Sequence, residues 1–220
     1  MGLAVALTIA LTGATTPSGL QSGGEVAAPP VSAGASDVQP AVLAVANTSG
    51  IPGVVAYDTT GWPTDRDDGP AAQALRREHV TGPVAYSVTP PVGGDHSPIW
   101  LNCGVYDQPV PNERAVHDLE HGAVWITYRP SLPAAEVHQL QAFEARQSPV
   151  GATGSRYVDV SPYPGLSSPI VISSWGFQLR VSSPIDPRLQ RFVDTFRASS
   201  TYAPEPGGEC TGGLGTPLQR

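Results

Sequence analysis

The chain has no lysine. Its 12 cationic side chains are all arginine, set against 19 aspartates and glutamates, for a net charge of −7. That balance excludes nucleic acid as a partner, which needs a basic face, and excludes a polybasic contact with a membrane surface. The missing lysine itself is read as codon usage and carries no function. Methionine occurs once, as Met1, which an exported form would lose. A methionine-rich copper(I) carrier is thereby excluded. There is no G-x-S-x-G elbow for a serine nucleophile, and Gly93-Gly94 lacks the lysine and the spacing of a phosphate-binding loop. No internal repeat is visible. The apolar run from Leu3 to Leu11 is too short to cross a bilayer, which takes about 20 residues.

That run is followed by the small residues Gly13-Ala14-Thr15-Thr16, a pattern that resembles the core and cleavage region of a secretory signal. It lacks a basic segment in front, so the true start, with a longer anchor, is expected upstream. No cysteine follows it, which leaves a lipoprotein anchor unsupported. Residues 1–14 are read as signal-like. Residues 15–50, built from Ala, Gly, Pro, Ser, Thr and Val with almost no charge or aromatic ring, are read as a disordered linker. This segment would hold a single domain, residues 51–213, away from a membrane or cell wall, with 214–220 as a tail. The expected location is extracytoplasmic, secreted or in the cell envelope. Cysteine is scarce: Cys103 and Cys210 only. Such a pair can be two thiols, two metal ligands or one disulfide. Export favours the disulfide, which would close a loop of order 100 residues and contribute about 4–5 kcal/mol in the chain-entropy model.

What is present is histidine, in the stretch His117-Asp118-Leu119-Glu120-His121-Gly122. Asn112 is a good helix N-cap and Glu113 suits the first turn. Gly122 is a stop signal. A short helix from Glu113 to His121 is expected, on which His117 and His121 (i, i+4) share a face with Glu120 at its edge. Two imidazoles so spaced can chelate one transition metal, and the negative helix C-terminus favours a cation beside His121. Ala123-Val124-Trp125-Ile126-Thr127-Tyr128 then reads as a buried strand.

Further strands are expected at 53–57, 84–88, 157–160 and 169–173, with 174–179 continuing in extended form and bent at Gly176. Residues 71–78 have helical propensity and end at His79. Residues 90–98, rich in Pro and Gly, form an irregular loop able to present His96 rigidly. Ser131 is expected to cap a second helix, with Pro133 in its first turn and Glu136, Val137, Leu140 and Phe143 on one face. Asp186 and Pro187 open a last helix with Leu189, Phe192, Val193 and Phe196 as its buried stripe. The elements describe an α/β or α+β fold, a single small domain of mixed short strands and helices behind a disordered N-terminal segment. Strand order is not legible.

Several of these motifs together resemble a known bacterial family: Pro90-Pro91-Val92-Gly93-Gly94-Asp95-His96, Asn102-Cys103-Gly104-Val105-Tyr106-Asp107, Val116 to Val124, Ser174-Trp175-Gly176, and Ala203-Pro204-Glu205 followed by Cys210. It is the domain of unknown function numbered 3105, found in exported or membrane-anchored proteins. The resemblance runs over about 51–213. It implies that His79, His96, His117 and His121, with both cysteines, belong to the family pattern. It implies no function.

Of the five histidines, His138 sits among polar neighbours on the second helix and reads as surface. Some three of His79, His96, His117 and His121 are expected to converge on one divalent ion. Imidazole donors suit zinc or copper(II). Glu120 is an outer partner of these ligands. Asp95 is placed beside His96, with a loop role favoured, and Tyr106 and Asp107 are candidates for the same pocket, with packing and a turn favoured. Trp100, Trp125 and Trp175 read as core. The leading reading is a metal-binding or trafficking module of the cell envelope. His117, Glu120 and His121 also fit the H-x-x-E-H pattern, in which the glutamate is a general base; a zinc hydrolase is therefore an alternative, though no downstream glutamate ligand is evident. A structural domain whose histidines only hold the core is the other.

Overall fold

The computed structural model describes residues 37–38, 41–59, 75–151 and 154–218, with Gly2. The signal-like run, most of the expected linker and residues 71–74 lie outside them. Among the described residues, three helices flank a six-stranded mixed sheet, an α+β domain.

In chain order the elements are β1 (Asp37–Val38), β2 (Ala44–Val45), β3 (Val54–Tyr57), β4 (Val84–Ala85), α1 (Asn112–Glu120), β5 (Val124–Tyr128), α2 (Ala134–Ala145), β6 (Val158–Pro162), β7 (Ile170–Ser174), β8 (Phe177–Val181) and α3 (Pro187–Phe196). The large sheet runs β2-β3-β8-β7-β5-β6, and β1 pairs in parallel with β4 apart from it. Only β5 and β6 are parallel neighbours in the large sheet. A parallel pair needs a long crossover, and α2 supplies it. β1 and β2 fall inside the stretch read as linker, so the sheet reaches back to Ala44.

Why β5 is apolar throughout follows from its place in the sheet. Its five residues are all buried, and strand alternation sends them to two cores. Val124, Ile126 and Tyr128 pack with the α2 and α3 residues Leu140, Phe143, Leu189, Phe192 and Phe196. Trp125 faces the other way, with Val116 and Leu119 of α1 and with Trp175. The sheet therefore separates α2 and α3 from α1. The α3 stripe is buried as expected, and Asp186 caps that helix by accepting from the Arg188 amide at 2.9 Å.

Four local expectations need correction. Asn112 is the first helical residue, not the cap; Pro111 holds that place with no side-chain bond. Pro133, not Ser131, precedes α2. In both cases the fixed φ of proline sets the helix entry, and the proline lies one residue before the first helical position. Residues 75–78 are not helical; backbone bonds from Val80 to His96 and from His96 to Glu78, at 2.8 and 2.9 Å, hold this segment beside the His96 loop. The 174–179 segment folds back at Trp175-Gly176 into the β7–β8 hairpin, with Gly176 at φ +75°.

Candidate functional site

α1 ends where the sequence places its stop. Gly122 takes φ +94°, its amide donates to Leu119 O at 3.1 Å, and the Ala123 amide donates to Asp118 O at 2.8 Å. These are the two bonds of a Schellman ending. A Cβ on Gly122 would come within 2.9 Å of the Ala198 backbone, so space as well as conformation demands glycine here. The stop fixes His121 on the last turn, one turn above His117. Their ring centroids are 4.4 Å apart.

The other two histidines arrive from irregular segments. His96 is carried in by a loop that is buried from Pro91 to His96, an unusual place for a loop because its backbone groups need partners. They have them: Gly176 donates to Val92 O at 2.7 Å, Gln178 Nε2 to Pro90 O at 2.9 Å and the Tyr86 hydroxyl to Asp95 O at 2.7 Å. Asp95 fastens the same loop, pairing with Arg76 at 2.9 Å and accepting from the Glu78 amide at 2.8 Å. His79 bridges to His96 through the backbone. Its ring stacks on His117 at 5.0 Å and meets His96 edge-on at 4.9 Å. His96, His117 and His121 are 0, 3 and 5 % exposed, whereas the His79 side chain is half exposed. Three of the four rings are buried, and only His79 reaches solvent.

The hydrogen bonds fix which ring nitrogens point inward. His96 Nδ1 lies 2.8 Å from Gly94 O, His117 Nδ1 2.6 Å from Ser97 O, and His121 Nδ1 2.5 Å from Glu209 O. A carbonyl only accepts, so each Nδ1 carries the proton and donates. In the neutral rings every Nε2 is then a bare lone pair. Yet His117 Nε2 and His121 Nε2 are 3.0 Å apart, and His96 Nε2 is 2.9 Å from Glu120 Oε2. Lone pair against lone pair, and lone pair against carboxylate, are repulsive at these distances. Both contacts call for positive charge between the partners, either a proton on a ring or a cation.

Ionisation decides between these in part. Burial holds the His117 imidazolium down, to about 4, with the neighbouring His121 and His96 adding to it and the bond to Ser97 opposing. At neutral pH that ring stays unprotonated. For Glu120, burial raises the carboxyl, but the hydrogen bond and charge of His96, helped by His117 and His79, outweigh it and hold the group below the ordinary range. Arg77 stands 3.8 Å from both Glu120 and Glu205. The exposed Glu205 carboxylate comes to 3.9 Å from His121 Nε2.

His79, His96 and His117 each offer one ligand atom, all within 4.8 Å of one another. Ligand atoms around a tetrahedral zinc at 2.0–2.1 Å lie about 3.3 Å apart. The His117–His121 Nε2 pair, at 3.0 Å, and the His96 Nε2–Glu120 Oε2 pair, at 2.9 Å, come near that figure. The structure thus brings His79, His96 and His117 within ligand reach of one another, with Glu120 beside His96; His121 is outside that group and adjoins it through His117. Tyr106 and Asp107 are not part of this pocket: the Tyr106 hydroxyl donates to Asn102 O, and Asp107 is exposed. Asp95 serves the loop and not the ring. His138 is on the surface. Trp100, read as core, is only half-buried and stands 5.7 Å from both His117 and His121.

A second group was not anticipated. Asp118 and Asp159, both fully buried, bring carboxylate oxygens within 4.8 Å of each other beneath Cys103. Cys103 is bonded to Cys210 and has no thiolate to offer. Burial raises both carboxyls; Asp159 is pushed up to about 7, and the Asp159 charge adds to the shift at Asp118. One shared proton accounts for the contact.

The comparisons with known proteins bear on the same residues. Residues 79–212, more than half of the chain, match the family described as Protein of unknown function (DUF3105). The chain belongs to that family. No curated protein and no solved structure matches it. The DUF3105 match spans from His79 to just past Cys210, so the whole histidine cluster and the disulfide lie inside it. The disulfide points to an oxidising, extracytoplasmic setting. Among the described residues no helix is long and apolar enough to cross a membrane.

Proposed function

We propose that this DUF3105 domain is a histidine-based divalent-metal site of the cell envelope, binding or passing on zinc or copper(II). The observation that carries the reading is the alignment of Nδ1. Three buried rings, on His96, His117 and His121, donate Nδ1–H to backbone carbonyls, which leaves His96 Nε2 facing Glu120 and the Nε2 atoms of His117 and His121 facing each other at the point where an ion would sit. Metal-bound histidines commonly have their outer nitrogen held in this way. One cation at that point would relieve both the His117–His121 and the His96–Glu120 contacts, where protonation would need a charge on each pair. The donors are nitrogen and oxygen, and with no free cysteine among the described residues the set suits zinc or copper(II). The half-exposed His79 leaves an edge through which an ion can enter and leave.

The H-x-x-E-H spacing keeps a hydrolase in view, but Glu120 is engaged by His96 at 2.9 Å and is not free to act on a water. That favours Glu120 as ligand or partner. The test is metal analysis of chain purified without an affinity tag and reloaded with zinc or copper(II). About one equivalent is expected; under about a tenth would leave the histidines as a core cluster. Glu120→Gln is expected to keep the metal with about tenfold weaker affinity. Metal retained at full affinity, with loss of a hydrolytic activity present in the parent, would instead make Glu120 the base.

A further inference from the structure

The fourth histidine depends on a segment far from it in the chain. Residues 205–210 lie across the end of α1 as a strap. The Glu205 amide donates to Glu120 O at 2.9 Å and the Gly207 amide to His121 O at 3.0 Å, while Glu209 O takes the proton of His121 Nδ1. Gly208 lies flat against the imidazole. A Cβ there would meet His121 Cδ2 at 2.5 Å, Cγ at 2.6 Å and Nε2 at 2.9 Å. Its backbone is outside the left-handed region, so an alanine is conformationally acceptable and only the ring stands in its way.

Two anchors hold the strap down. The buried Tyr157 hydroxyl donates to Gly208 O at 2.7 Å. Cys210 is bonded to Cys103, whose amide also donates to Cys210 O at 2.8 Å. The disulfide thus sits one residue from the carbonyl that orients His121. By contrast, His96 and His117 take their carbonyls from Gly94 and Ser97 in the 90–98 loop.

We infer that the disulfide-anchored strap is the positioning element for His121, with Gly208 as the residue that sets the ring against the metal and Cys103–Cys210 as the bond that keeps it there. The inference rests on the metal reading above. It makes His121 the adjustable ligand and the remaining donors the fixed ones, so that affinity follows the integrity of the strap.

A double-mutant cycle on the full chain tests it. Zinc affinity is measured by competition with a chromophoric chelator for the parent, Gly208→Ala, His121→Ala and the double variant, with thermal melting of each metal-free form as a folding check. Gly208→Ala is expected to weaken zinc about 10–100-fold in the parent, the range typical of losing an outer-shell partner. It is expected to have less than about a twofold effect once His121 is alanine, because a residue acting only through that ring has nothing left to move. Cobalt(II) bound to Gly208→Ala is expected to show the altered visible spectrum of a changed ligand set. Tyr157→Phe, which keeps the ring and removes one anchor, is expected to weaken zinc in the same His121-dependent way, and so is Cys103→Ser with Cys210→Ser if that variant melts cooperatively. Equal losses in both backgrounds, or zinc bound undiminished by Gly208→Ala, would overturn the strap while leaving the metal site standing. A parent chain that binds no zinc or copper(II) would overturn both.

Discussion

α1 is 9 residues long and carries two buried ionisable clusters on opposite sides. His117, Glu120 and, just past its end, His121 face one way; Asp118 faces the other, toward Asp159. Both clusters are groups of potential metal ligands by distance, yet their chemistry differs. Three histidines have Nδ1 tied to a carbonyl and Nε2 set against a neighbouring ligand atom, and the fourth, His79, is half exposed. The carboxyls are sealed, receive backbone amides from Leu101 and Gly104 at 3.0 and 2.9 Å, and lie under a disulfide. Sealed acids relieve their repulsion by holding a proton. The histidine group, by contrast, has a half-exposed edge at His79 and a His117 ring whose basicity burial depresses. Proximity of ligand atoms is therefore weak evidence by itself; where the second atom of each side chain is committed decides what the first can do.

The two clusters can be pulled apart experimentally. His117→Ala is expected to have the largest effect on metal, exceeding the 10–100-fold loss typical of an outer-shell partner, since this ring sits between His79, His96 and His121. Retained affinity would mean the ion lies elsewhere. The clusters also bend stability in opposite directions with pH. Asp159 is raised to about 7 in the fold, against about 3.9 for an unfolded aspartate. Its contribution is complete below the lower value and is lost as pH rises toward 7, at roughly 1.4 kcal/mol per pH unit. His117 is lowered to about 4. Its contribution is present above about 6.5, the unfolded value, and is lost as pH falls toward 4. Asp159→Asn is therefore expected to gain on the parent between pH 5 and 8, by about 2–3 kcal/mol in urea unfolding of the metal-free chain. A difference that does not change with pH would remove the shared-proton description. At the small end, Tyr106→Phe is expected to cost about 1 kcal/mol of stability by removing the bond to Asn102. It should leave zinc affinity unchanged; a shift there would put Tyr106 back in the pocket.

Much of the local architecture was legible. Gly122 announced the end of α1, and the i, i+4 spacing put His117 and His121 on one face because helix geometry is local. The β5 run and the α3 stripe were legible for the same reason. Sheet order was not, since pairing such as β3 with β8 joins residues over a hundred positions apart, and strand propensity does not say with whom a strand pairs. Within the site, the four histidines came from composition and spacing, while the Glu120–His96 contact depended on how deeply the 90–98 loop is buried. The parts played by Glu205, Gly208 and Glu209 were not legible, because they run through backbone groups or through having no side chain, and neither leaves a spacing signal. Asp118 lies inside the histidine motif, but its buried neighbour Asp159 comes from a distant strand, so spacing carries no sign of it. A charged residue on a short helix whose other face is already committed is a sign of a second buried contact.

The proposed metal site requires three outer nitrogens that hold protons and three inner ones that are free to take a metal. Long-range proton–nitrogen NMR of the histidine rings at neutral pH, before and after one equivalent of zinc, tests it most directly. The expected result is Nδ1–H in His96, His117 and His121 throughout, with their Nε2 resonances moving together on zinc addition. Rings protonated on Nε2 in the presence of zinc, or nitrogen resonances that zinc leaves in place, would contradict it.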